Sequence, residues 1–205
     1  MAGSLRPALQ AGSFLVATLA LALSGTLALA AAPSAPVHYT LDPARSMLRF
    51  SFEQAGATNN GRFGKFTTDV LFAADNLGAS KINVTVDVAS LDTGDQERDD
   101  ALKGADLFDV QKFPQAKFVA SKITQAAQGR YEAVGKLTIR NVTRDIRVPM
   151  TFQTKLEGGK TIGYMQGRAA LKRLEFGVGQ GDLKSTEWVK DDVSVTFSLR
   201  LEPTT

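Results

Sequence analysis

The sequence predicts an all-β domain of about eight or nine antiparallel strands with one short helix near residues 95–104, and three observations carry that reading. Apolar side chains recur at every second position along most of the chain. Turn signals rich in glycine and asparagine separate these runs. Only Asp95 to Lys103 is densely charged and free of β-branched residues, with Thr93 or Asp95 placed to cap a helix. A period of two puts one face of each strand in an apolar interior and the other in water.

In chain order, Leu48, Phe50 and Phe52 alternate with Arg49, Ser51 and Glu53. Phe66, Thr68, Val70 and Phe72 form the next face, followed by Ile82, Val84, Val86 and Val88. Tyr131-Ala133-Gly135-Leu137-Ile139 and Ile146-Val148-Met150-Phe152 follow, and the pattern ends on Val193-Val195-Phe197-Leu199-Leu201. Turns are expected at Asn59-Asn60-Gly61, Asp75–Gly78, Gln128-Gly129 and Glu157-Gly158-Gly159. Strands in this number form a sandwich or a closed barrel. The helix after Asp95 and the lack of a terminal aromatic argue against a membrane-spanning barrel.

The first thirty residues read as a secretory signal peptide. Arg6 is the one charge before an apolar run from Phe14 to Leu23, and Ala28-Leu29-Ala30 supplies the small residues of a cleavage site near Ala30. An uncleaved membrane anchor is the alternative. Cleavage would release a periplasmic or secreted chain, with a linker over 31–36 and one domain over 37–203. Cysteine is absent, so neither a lipid-modified N-terminus nor a disulfide is available. Without the signal, 23 cations face 21 anions. A surplus of two makes no stripe for nucleic acid.

Catalytic chemistry has little to work with. His38 is the single histidine, so a histidine-dependent nucleophile or zinc site lacks its partners. Asp95 and Asp99 share a helix face and could act as acid and base, but a solvated face is the commoner explanation. Gly177-x-Gly179-x-Gly181 follows no parallel strand and opens no helix, so it reads as a chain twist, not a phosphate loop. No enzyme activity, metal or cofactor is expected. The twelve phenylalanines fall mostly on inward positions and either fill a core or line a cavity. Small inward residues, Ala133, Gly135, Gly167 and Ala169, favour the cavity.

Six motifs in order resemble the YceI-like, polyisoprenoid-binding family. They are Tyr39-Thr40-Leu41-Asp42-Pro43-Ala44-Arg45-Ser46, Gly61-Arg62-Phe63-Gly64-Lys65-Phe66, Glu97-Arg98-Asp99 with Asp106-Leu107-Phe108-Asp109, Phe113-Pro114-Gln115-Ala116-Lys117-Phe118, Gly135–Thr143 and Arg173–Gly179. The resemblance implies an extended lipocalin-like barrel whose apolar interior holds an isoprenoid or similar long lipid, as carrier or buffer. It puts Phe50, Phe52, Phe63, Phe66, Val84, Val86, Leu102, Phe108, Phe118 and Leu137 on the ligand wall. Arg98, with Arg45 in place of the usual histidine, is expected at the mouth, stabilising a polar or anionic head group, and the alternative is an Arg98–acid pair that only fixes the helix on the barrel rim. The bound molecule would be a polyisoprenoid or isoprenoid quinone, and transient contact with a membrane or membrane protein would follow. Where relatives carry histidine, this chain has Arg45, Gln54 and Ala101. The alternative is a stress-protective or structural barrel with a filled core and no ligand.

Overall fold

The structure is a computed structural model that describes residues 33–204. The expected signal peptide and its cleavage near Ala30 lie outside the described residues. Eleven strands form one antiparallel sheet: β1 (Val37–Leu41), β2 (Met47–Gln54), β3 (Ala57–Phe63), β4 (Phe66–Phe72), β5 (Lys81–Asp87), β6 (Leu91–Asp92), β7 (Gln115–Ala127), β8 (Arg130–Ile139), β9 (Val142–Glu157), β10 (Lys160–Lys172) and β11 (Val189–Pro203). Eight of them, in the order β1-β4-β5-β7-β8-β9-β10-β11, close into a barrel through the β1–β11 pairing. The remaining three continue the sheet from β11 in the order β2-β3-β6.

The count exceeds eight because three long strands are each broken once. β1 and β2 share one side of β11, with Leu41 opposite Leu201 and Met47 opposite Ser198. The 3-10 turn Pro43–Arg45 interrupts them, and Pro43 supplies the fixed φ that starts it. β3 runs into β4 across Gly64 and Lys65, and a second 3-10 turn, Val88–Ser90, separates β5 from β6. Past these breaks β4 stays beside β5, whereas β3 pairs with β6. The wall splits at that end.

Helix α1 (Gln96–Lys103) covers the split end. Asp95 caps it by accepting from the Arg98 amide at 3.1 Å, and Lys103 sits in its last turn, where a cation suits the helix dipole. Leu102 is its buried apolar contact, packed with Phe50, Phe52, Val88 and Leu91, and with Leu107 and Phe108 just beyond the helix. Asp99 points inward and accepts from the Thr93 amide at 2.9 Å and hydroxyl at 2.7 Å. The Asp95–Asp99 pair is therefore a cap and a staple between α1 and the turn before it.

One expected turn is misplaced. Asn59-Asn60-Gly61 lies inside β3, and the hairpin turns instead at Ala55–Gly56 with φ of 52° and 75°. Two central residues at positive φ match the turn whose twist suits adjoining strands. Asn141 lies in the turn between β8 and β9.

Outward positions are polar, as with Arg49, Lys117, Lys136 and Arg168. This is the reverse of a lipid-facing barrel. Inside, the end opposite α1 is packed solid. Phe72 lies tilted against Phe152 with ring centroids 4.2 Å apart and meets Tyr131 edge-on at 5.1 Å, while Tyr39 meets Phe152 at 5.6 Å. All four rings are buried, and burial pushes the Tyr39 phenol above its ordinary pKa. Outside that plug, Arg200 ties β11 to the neighbouring segments through Asp42 at 2.9 Å and Glu157 at 3.0 Å, and also pairs with Glu202 on its own strand.

Candidate functional site: a blind apolar cavity

Between plug and helix the barrel is hollow. The cavity measures about 690 Å³, within the range of small-molecule sites. Phe66, Val84, Val86, Phe118, Leu137 and Phe197 point inward yet remain half-buried, because the space they face is empty. From Val189 to Leu199 the β11 lining runs about 25 Å along the axis at ~3.3 Å per residue and the usual barrel tilt. Phe50, Phe52, Phe63, Phe66, Val84, Val86, Leu102, Phe108, Phe118 and Leu137 all line it.

Glycines keep this wall thin. Gly61 lies directly opposite Phe50, and a Cβ there would overlap the Phe50 ring. Gly167 is likewise opposite Phe197, and Gly135 lies under Phe118. Each ring lies against bare backbone instead of projecting fully into the lumen. Gly135 and Gly167 therefore leave no free volume of their own, contrary to the reading of small inward residues as space. Ala133 and Ala169 do border the cavity.

The exposed residues of the lining are Ala55, Ala57, Asp95, Glu97, Ala101 and Trp188, all at the α1 end. They mark a single mouth between the β2–β3 hairpin, α1 and the segment before β11. None of the four plug aromatics borders the cavity, so the tube is blind.

Two arginines fix the loops around this end. Arg173 is 5% exposed and spends all its donors on backbone carbonyls. Nε donates to Lys190, Nη1 to Val178 and Leu183, and Nη2 to Ser185 and Val189, at 2.7–3.0 Å. Burial lowers its pKa, and Asp191 offsets part of that effect. Gly179 follows from the same arrangement, because its φ is 126° and a Cβ there would collide with the guanidinium. In the Gly177-x-Gly179-x-Gly181 run, which by sequence alone reads as a bare twist, the guanidinium accounts for Gly179, while Gly177 and Gly181 have positive φ of 70° and 53°. Arg140 holds the segment after α1 through the carbonyls of Ala105 and Leu107, and the Gln180 amide donates to Asp106 at 2.8 Å, joining the two loops.

The expected head-group pair is not assembled. Arg98 reaches the mouth, where it also lies 3.4 Å from Asp95. Arg45 does not. It lies in the turn between β1 and β2, 66% exposed and 3.6 Å from Asp42, at the Arg200 end of the barrel. The strand break sends that motif to the far end, so Arg45 has no place in a mouth site. His38 pairs with Asp69 at 2.8 Å. Among the described residues, no three histidine, cysteine or carboxylate side chains converge as a metal site would require.

Comparison with known proteins agrees with this architecture. A profile of the YceI-like domain matches residues 39–201. A UPF0312 protein of Pseudomonas syringae pv. tomato is 32% identical over 185 residues, covering 87% of this chain and 93% of its own. A UPF0312 protein of Vibrio vulnificus is 33% identical over 121 residues, and the chain spans only 64% of that relative's length. The crystal structure of Burkholderia cenocepacia BcnA superposes with a TM-score of 0.73 at 34% identity, covering 78% of this chain and 98% of that one. A polyisoprenoid binding domain from Saccharophagus degradans, at 18% identity and a TM-score of 0.63, shares the fold, covering 82% of this chain and 99% of its own. With its profile match running from the first barrel strand to the last, the chain belongs to the YceI-like domain family.

Proposed function

We propose that this protein holds an isoprenoid or similarly long apolar lipid in its barrel, as a carrier or buffer outside the cytoplasm, and transforms nothing. The observation that carries this reading is the blind apolar tube of about 690 Å³ with one mouth. Its polar lining groups lie chiefly at that mouth, where the Asp95 carboxylate caps α1 and Glu97 is exposed to water. The signal-like leader and the name of the Saccharophagus domain support the same reading.

Energetics favour a carrier. Burying a five-carbon isoprene unit is worth about 4 kcal/mol against water. A lipid already in a membrane gains almost none of this on transfer, so selectivity rests on the tube. An extended chain advances about 5 Å per unit at ordinary C–C bond lengths, so about five units fill the 25 Å lining. Native mass spectrometry of protein purified from its own host, followed by solvent extraction, tests for cargo. A length series of isoprenoid alcohols should bind progressively better up to about five units and then level off, with the recovered ligand unchanged. No saturable binding at any length would leave a structural barrel, and altered ligand would indicate an enzyme.

A further inference from the structure

The cavity mouth has two unlike lips. One is charged, with Asp95, Glu97 and Arg98 from α1 and its cap. The other joins the Ala55–Gly56 hairpin tip to Trp188, whose carbonyl accepts from the Ala55 amide at 2.8 Å. No charged side chain occurs from Ala55 through Gly61. Trp188 is the chain's only tryptophan and is 62% exposed, although it borders the apolar cavity. The five carbonyl bonds of Arg173 hold the segment that presents it, so the ring stands on a fixed support.

We propose that this mouth docks on a lipid bilayer, with Trp188 and the Ala55–Gly56 tip entering the interfacial zone. The inference rests on the reading that the cargo is a lipid, which must pass between a bilayer and the tube. An indole with one apolar and one polar edge suits the membrane–water boundary. Charge narrows the kind of surface. Around Trp188, Lys184 and Lys190 are matched by Asp182 and Glu187, and across the mouth Arg98 faces two acids. With three cations against four acids the rim has no attraction for anionic lipid, so docking on zwitterionic lipid should be insensitive to salt.

Trp188 reports on its own environment. Cargo-free mature protein, mixed with phosphatidylcholine vesicles lacking isoprenoid, should show a blue-shifted tryptophan emission. Vesicles with brominated acyl chains should quench it, at low and at high salt alike. Gly56 does not line the cavity, a Cβ there would have nothing within 4 Å, and its φ is 75°, where aspartate and asparagine are equally tolerated. Gly56→Asp should weaken vesicle binding about fivefold, as a charge near the interface does, while Gly56→Asn should not. Both should bind a short isoprenoid alcohol in vesicle-free buffer as the parent does. Absence of bromolipid quenching, equal vesicle binding by the two variants, or concentration-dependent self-association through the mouth would overturn docking and leave the cargo reading intact. Quenching without any isoprenoid binding would retain docking and overturn the cargo reading instead.

Discussion

The two ends of the barrel put the same kind of residue to opposite uses. At the closed end, Phe72, Phe152, Tyr39 and Tyr131 meet one another and fill the lumen. Beyond it, Phe50 and Phe197 lie directly opposite a glycine and Phe118 lies diagonally over one, and all three line the lumen. An aromatic ring is neither core nor cavity wall by its own nature; what its free face meets decides, since Phe152 and Tyr39 also lie over a glycine, Gly163, yet pack against other rings.

The largest test of that contrast is at the plug. Phe72→Ala removes a ring from a fully packed cluster and should cost about 3–5 kcal/mol. Phe118→Ala faces space that is already empty on one side and should cost about half as much or less, since it opens no comparable new void. Chemical denaturation of both variants measures the difference, and equal losses would mean that the lumen is filled. Phe50→Asp, which puts a carboxylate on the apolar wall, should cost several kcal/mol. A melting temperature unchanged from the parent would show that Phe50 does not face inward.

Gly61→Ala is subtler. Its Cβ meets the movable end of the Phe50 ring, so the ring swings into the lumen at a cost of about 1–3 kcal/mol. Binding should suffer more than stability, with the isoprenoid length series levelling off at a shorter chain. The smallest effect concerns acid. A hydrogen bond from Tyr164, and then Arg200, hold the Glu157 carboxyl below its ordinary value of 4.5. Such a group stabilises the fold above the unfolded-state value and stops doing so as pH falls through the lowered one. Thermal stability should therefore decline below about pH 4.5, and less steeply in Tyr164→Phe.

Much of this fold was legible because alternation survives burial on one side only. Leu48-Phe50-Phe52 and Val193-Val195-Phe197 declare their inward face, and Asp95 declares the helix start. What stayed hidden depended on register. Asn59-Asn60-Gly61 has the composition of a turn, but Gly61 is there for the ring of Phe50, a partner that only strand pairing identifies. The motif around Arg45 points to a functional position at the mouth, whereas the 3-10 break after β1 leaves that residue at the opposite end. The hub role of Arg173 depends on five carbonyls spread from Val178 to Lys190, and no local pattern encodes that convergence.

A tube sealed at one end also sets a timetable. A tail can leave only by retracing its entry, and each isoprene unit drawn into water slows escape by about a thousandfold. Residence time then climbs steeply with tail length even where equilibrium preference over a membrane is slight. When the mouth touches an apolar phase, each unit slides from one such phase to another and that penalty disappears. For the proposed lipid cargo, the plug of Tyr39, Phe72, Tyr131 and Phe152 would thereby make contact with the destination the trigger for unloading.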